Sequence, residues 1–166
     1  MNKGDILNRA DKVNFMGLTD EPEAFNRMHG FTDSGKSSNA NTYDRRYVDE
    51  ETERSDVTGY GTEIAYAFDE MKDDPVHAVL VEVADDEIKG KKVTIVTVDF
   101  SKPVAEQDNQ YEARKRVYSV IPDANGDSTD AYTYSGTFKA AGKIIKGTAT
   151  SSDDWETCSF TEKGKV

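Results

Sequence analysis

From Tyr60 to Asp69 the chain alternates without a break. Tyr60, Thr62, Ile64, Tyr66 and Phe68 are aromatic or β-branched, and Gly61, Glu63, Ala65, Ala67 and Asp69 stand between them. Successive side chains of an extended strand point to opposite sides, so this period of two builds one bulky face and one small, acidic face. The bulky face has to be buried in a core, and the small face is left for water or a partner. Five further segments have the β-branched and aromatic composition of strands: Lys92–Phe100, Ala113–Ile121, Ala131–Ala140, Lys143–Thr150 and Trp155–Thr161. Asn125-Gly126 falls in a polar loop between two of them, and Ala141-Gly142 is expected to join two others as a tight hairpin. One helix is predicted, with Asp74 as N-cap, Pro75 at the first helical position and Gly90 as the stop. Val76, Val79, Leu80, Val83 and Ala84 give it an apolar stripe, although Val79, Val81 and Val83 also alternate as a strand would. The expected fold class is mainly β: a β-sandwich or barrel-like subunit, one domain over residues 1–166, with one flanking α-helix and a long inter-strand loop.

That loop is placed at residues 34–56. The stretch Asp33–Thr42 is rich in turn formers and has no apolar periodicity, and the polar character continues to Asp56, with Tyr47 and Val48 as apolar anchors inside it. A loop this long inside a compact domain tends to be functional or disordered. The segment around it, residues 31–75, holds most of the charge imbalance. The chain of 166 residues has 32 acidic and 21 basic side chains, a formal charge of -11, and residues 31–75 alone hold twelve of the acids and five of the bases. Such a balance excludes an ordinary nucleic-acid grip, which neutralises phosphates with clustered Lys and Arg. No stretch approaches the ~20 apolar residues of a bilayer-spanning helix, so no membrane partner is expected. The first residues carry scattered charges, unlike a secretory signal. Cys158 is the lone cysteine, which excludes an internal disulfide and suits a reducing cytosol. With only His29 and His77 besides, a His/Cys zinc site within one chain is close to excluded, and a Ser-His-Asp arrangement would have to use one of two histidines that lie in no recognisable motif.

Several motifs imitate chemistry. Gly30–Ser37 fits the phosphate-cradling pattern G-x-x-x-x-G-K-[ST], and Val93–Asp99 could pass for a magnesium-holding strand. A phosphate cradle needs a helix directly after its Lys, and Ser38-Asn39-Ala40-Asn41-Thr42 is a poor start for one. Asp123, Asn125, Asp127 and Asp130 lack the spacing of a calcium loop. Arg114-Lys115-Arg116 is the only basic cluster. On a strand, Arg114 and Arg116 share a face, better suited to carboxylates within the chain or across a subunit contact than to nucleic acid. Glu50-Glu51 and Asp153-Asp154 sit in polar runs with nothing apolar to shift a pKa. No catalytic residue, metal ligand or cofactor site is therefore assigned, and the chain reads as no enzyme. Nucleotide binding through Gly30–Ser37 is the alternative, and a cell-surface β-sandwich binding module is a third reading.

Three blocks carry a resemblance: Arg27–Thr32; Arg46–Tyr60 leading into Ile64–Asp69; and Ala113–Pro122 followed by Tyr134–Gly142. Together they resemble the major tail tube proteins of long-tailed bacteriophages of Gram-positive hosts, over about residues 24–150. Met1 to Glu21 has no counterpart phrase. The resemblance implies a structural subunit that self-assembles into stacked hexameric rings, whose sheets join in an inner β-barrel through which double-stranded DNA passes without specific binding. It implies an inter-subunit loop carrying Tyr43, Arg45, Arg46, Tyr47, Val48, Asp49, Glu50 and Arg54. Tape measure, tail terminator and distal tail proteins would be the further partners. The location implied is the virion tail, assembled in the bacterial host cytoplasm. Glu63 and Asp69 are the acids expected to face the lumen, where repulsion would keep DNA from sticking. A tube from a contractile tail or a phage-derived bacteriocin would look the same. The residues agree with an assembling subunit: eight tyrosines suit interfaces, and a polar loop can become ordered on a neighbour.

Overall fold

The sixteen-residue strand β8 (Gln110–Asn125) organises the chain, because it is long enough to serve two sheets at once. The computed structural model describes residues 2–164. Before β8 come β1 (Lys12–Gly17), β2 (Phe25–Arg27), β3 (Phe31–Ser37), β4 (Ala40–Arg45), β5 (Arg54–Tyr60), β6 (Glu63–Asp69), α1 (Pro75–Asp85) and β7 (Lys92–Pro103). After it come β9 (Thr133–Ala140), β10 (Ile145–Thr150) and β11 (Thr157–Glu162). One side of β8 pairs with β7. On the other, residues 110–115 pair with β10 and residues 118–125 with β9, all antiparallel. The β10 pairing closes a six-stranded barrel in the order β10–β11–β2–β1–β7–β8. From β9 the sheet continues to β6 and ends at β3.

Each sheet encloses its own apolar cluster. The barrel is filled by Phe15, Phe25, Val96, Val98, Ala113, Ala149 and Cys158, with Trp155 packed edge-on against Phe100 and Tyr111. So narrow a barrel needs a glycine where β10 meets β11, since a Cβ on Gly147 would collide with the Thr161 carbonyl. The second cluster lies between the outer wall of the barrel and the β9–β6–β3 sheet, with α1 across one end. It holds Met16, Val93 and Ile95 from the barrel wall, Ile64, Tyr66 and Phe68 from β6, Phe138 from β9, and Val76, Leu80 and Val83 from α1. Tyr66 stacks on Phe138 at 4.3 Å, and Gly136 makes room for its phenol, which a Cβ there would approach to 2.6 Å. His77 is buried among these rings. Its Nδ1 accepts from the Met71 amide (2.9 Å), and its Nε2 bonds the His29 carbonyl (2.6 Å).

The helix starts as expected: the Asp74 carboxylate accepts from the amides of Val76 (3.0 Å) and His77 (3.2 Å), and Pro75 opens the first turn. It stops at Asp85 and not at Gly90, because Glu87 already takes a left-handed φ of 49°. The β6 alternation holds, with Ile64, Tyr66 and Phe68 buried, but Tyr60 stands 64% exposed because the chain leaves the body at Gly61. Ala141-Gly142 is not a hairpin. β9 and β10 both pair with β8 and not with each other, so residues 141–144 form a jog between nearly collinear strands. There the Ala141 amide donates to the Val117 carbonyl, and Arg116 donates to the Gly142 carbonyl. The N-terminal segment supplies β1, between β2 and β7 in the barrel. The region expected as a loop over 34–56 is mostly strand, with residues 46–53 joining β4 to β5. Gly30–Ser37 lies largely in β3 and runs on into β4, with no helix after Lys36 to present amides to a phosphate.

Candidate assembly surface

β3–β4 and β5–β6 form one long ribbon that is pinched at Asn39 and Gly61. There Asn39 has a φ of 43°, its side-chain amide donates to the Gly61 carbonyl (3.0 Å), and the Gly61 amide donates to the Asn39 carbonyl (3.1 Å). Below the pinch, β3 and β6 belong to the body. Above it, β4 and β5 pair only with each other, and nearly every residue of this arm is exposed on both faces. An isolated two-stranded ribbon is marginally stable at best.

What stiffens the arm is a cluster of the residues singled out in the sequence. Arg45 donates to the Tyr47 hydroxyl (2.9 Å) and the Tyr43 carbonyl (3.3 Å), and it pairs with Asp56. Arg54 grips Glu50 with two bonds, at 2.8 and 2.5 Å. The Tyr47 ring lies between the two guanidinium groups, each 5.5 Å from its centre. The hydrogen bonds that Arg45 donates to Tyr47 and Asp56 raise its pKa further above its ordinary value. Val48 is fully exposed at the tip beside Asp49, and Arg46 lies in the same connection, outside the cluster.

The outward face of the β9–β6–β3 sheet is the second feature. Across the ladder, Ala65 lies opposite Thr137 and Gly35, and Ala67 opposite Ser135 and Asp33. Glu63 lies opposite Lys139, and Asp69 opposite Thr133. Glu63 and Asp69 therefore do share one face, which is smooth, built of small residues and richer in acid than base. The free edge of the sheet is β3, whose outer backbone groups have no strand partner among the described residues. Exposed edges of this kind pair with other chains unless they are blunted.

The third feature is absent from any single stretch of sequence. Facing β6, the wall shared by β1, β7 and β8 grades from apolar to charged: Val93, Ile95, Thr97 and Asp99 along β7, and Val120, Tyr118, Arg116 and Arg114 along β8. Its charged end meets Ser34 and Lys36 of β3 in an open cleft. The Asn14 side chain ties the two walls, donating to Ser34 (2.9 Å) and accepting from Thr97 (2.7 Å). Arg114 and Arg116 do share a face, but neither is paired with a carboxylate among the described residues. Only their spacing signalled them; Lys36, some eighty positions away, gave no sign of belonging to the same place.

Among the described residues, no group of three His, Cys, Asp or Glu side chains could hold a metal ion, and no helix is long and apolar enough to cross a membrane. The Asp127 and Asn125 side chains are taken up by Thr133 and Tyr132.

No family model and no curated protein matches the sequence. Solved structures do match the fold. One is a chain from the tail of an empty GTA particle, obtained with helical refinement in C6 symmetry, at 14% identity and a TM-score of 0.58, covering 84% of this chain and 97% of that one. Another is a chain from the six-fold symmetrised anti-feeding prophage (AFP) baseplate, at 10% identity and a TM-score of 0.52, covering 88% of this chain and 97% of that one. At such identities the likeness is one of fold.

Proposed function

We propose that this chain is a structural, non-catalytic subunit of a phage-type tail tube. Six copies would form a ring, the rings would stack, and DNA would pass along the channel. The observation that carries the reading is the combination of a free sheet edge, a smooth small-residue face and an exposed arm whose two strands pair only with each other among the described residues. The fold shared with particles of six-fold symmetry supports it. In this reading the β3 edge pairs with the next copy, and β3, β6, β9 and the distal half of β8 give four strands per subunit, hence 24 per ring. At ~4.8 Å between strands, such a barrel is about 37 Å across if the strands are upright and about 48 Å if they tilt by ~40°. Glu63 and Asp69 then face the lumen, where acid repels the duplex and a cationic wall would hold it through counterion release. The partners are other copies of the chain, and at the ends of the tube the tape measure, tail terminator and distal tail proteins, in a virion tail built in the host cytoplasm.

Negative-stain microscopy of concentrated protein tests the reading. Rings or tubes with a channel of about 35–50 Å are expected. Monodisperse monomer at every concentration would sink it.

A further inference from the structure

The space between the two sheets is filled at the α1 end and opens at the other into the cleft beside β3, about 1340 Å³ in volume. Eight of its lining residues are Lys or Arg and three are Asp or Glu, in a chain whose acids otherwise outnumber its bases by 32 to 21. The cations are drawn together against the charge of the whole molecule. Lys36 of β3, Arg114 and Arg116 of β8 and Lys146 of β10 approach from three strands, and among the described residues none of the four makes an ion pair. Burial first, and then the positive charges of Arg116 and Arg114, lower the pKa of Lys36. Such a cluster repels itself until an anion enters.

The arm offers the complementary charge. Its tip, residues 46–53, has four acids and one base, and only Glu50 of those acids is engaged, by Arg54. Asp49, Glu51 and Glu53 have no basic partner within 4 Å among the described residues. The arm cannot satisfy its own cleft. Lys36 lies at the root, three positions before the pinch at Asn39, and the tip stands about 20 Å further along an extended ribbon.

We propose that the acidic arm tip, Val48 to Glu53, of one copy docks into the cationic cleft of a second copy, with Asp49, Glu51 and Glu53 facing Lys36, Arg114, Arg116 and Lys146. This rests on the self-association proposed above and names the contact that propagates it. Tip and cleft are different surfaces, so the contact is head-to-tail and leaves a free tip and a free cleft at the two ends, the geometry of an open stack. The ion pairs form in a partly enclosed cleft, where they are screened less than on an open surface, but docking still weakens with salt.

Two cysteine variants in the otherwise full chain test it. Thr52→Cys places a thiol between Glu51 and Glu53, and Ile144→Cys places one in the cleft at a residue 43% exposed. Cys158 is buried, with its thiol pushed up to about 12, and stays unreactive. The two variants, one carrying a cleavable tag, are mixed, oxidised and separated on a non-reducing gel. A mixed Thr52→Cys/Ile144→Cys disulfide is expected to dominate. It should fall at least tenfold when the cleft copy also carries Arg114→Glu and Arg116→Glu, and return when the arm copy carries Glu51→Lys and Glu53→Lys. Lys36→Glu with Lys146→Glu reads the same charges from two other strands, should reversal on β8 disturb its pairing. Absence of the mixed disulfide, or indifference to both charge reversals, would overturn the proposal. So would retardation of a short DNA duplex that is lost with Arg114→Glu and Arg116→Glu, which would give the cleft to phosphates. A mixed disulfide without rings in the microscope would uphold the docking and reject the six-fold tube; rings without the disulfide would do the reverse.

Discussion

Replacing His77 by Leu should unfold the protein at a markedly lower denaturant concentration. The imidazole is 1% exposed, stacks on Phe68 at 4.4 Å, and joins two backbone groups from different segments, the Met71 amide and the His29 carbonyl. Leu keeps the apolar contact but orphans both groups. A buried polar group without its partner costs ~1–3 kcal/mol, so the expected loss is about 2–5 kcal/mol, a large part of the ~5–15 kcal/mol that holds a domain folded. With a urea slope of ~2 kcal/mol/M, the midpoint falls by about 1–2.5 M. His77→Asn, whose carbonyl can stand where Nδ1 stood, should recover roughly half. The assay is urea unfolding followed by far-UV circular dichroism and by emission of Trp155, the only tryptophan. His77 stacks on Phe68 of the cluster under α1 and Trp155 packs on the barrel cluster, so the emission reports the core remote from the substitution and the dichroism reports the backbone as a whole. β1, β7 and β8 wall both cores, which makes them one cooperative unit, and both transitions should move by the same amount. A shift under about 0.5 kcal/mol, the scale of an ordinary surface change, would refute the hydrogen-bond argument. A Trp155 transition left in place while the dichroism moves would refute the single unit.

Gly147→Ala should lower stability by about 1–3 kcal/mol or prevent folding, because its Cβ meets the Thr161 backbone at the seam of the barrel; thermal unfolding reads it. Burial pushes Tyr66 up to about 12, and burial with the Asp85 hydrogen bond does the same for Tyr134. A folded-state pKa above the unfolded value gives stability that is fully present below pH ~10 and lost as pH rises toward 12. Tyr66→Phe and Tyr134→Phe should therefore flatten the alkaline limb of a stability–pH curve. Asp99 moves the other way: burial raises its pKa, but hydrogen bonds from the Ser101 hydroxyl and amide, with Lys12 nearby, more than offset this and leave it lowered. Its contribution is present above the unfolded value and lost as pH falls through the folded one, so Asp99→Asn should reduce the dependence of stability on pH below ~4. In assembled particles, Glu63→Lys with Asp69→Lys should leave tubes intact while slowing DNA release; an unchanged release rate would mean that the acids serve solubility alone.

The residues whose neighbours along the chain settle their conformation were legible in the sequence. Asp74 and Pro75 begin a helix wherever they sit, because cap and ring act on amides two or three positions away. Ile64, Tyr66 and Phe68 declare a strand because one face must be buried and the pleat repeats every two residues. Arg114 and Arg116 had to share a face for the same reason. β4 and the outer end of β3 could not be recognised by that rule, since a ribbon wet on both faces has no reason to alternate. The sequence also could not say which strand edges meet. Ala141-Gly142 looks like a turn in either pairing, and only the closed barrel decides that β9 and β10 lie end to end along β8. The cleft depends on that closure, for Lys36, Arg114 and Lys146 become neighbours only when the sheet curls back over the barrel wall. A sequence fixes side chain and local backbone, whereas the company a charge keeps is set by long-range pairing, and only the tertiary structure turned an acidic chain into one with a cationic cleft.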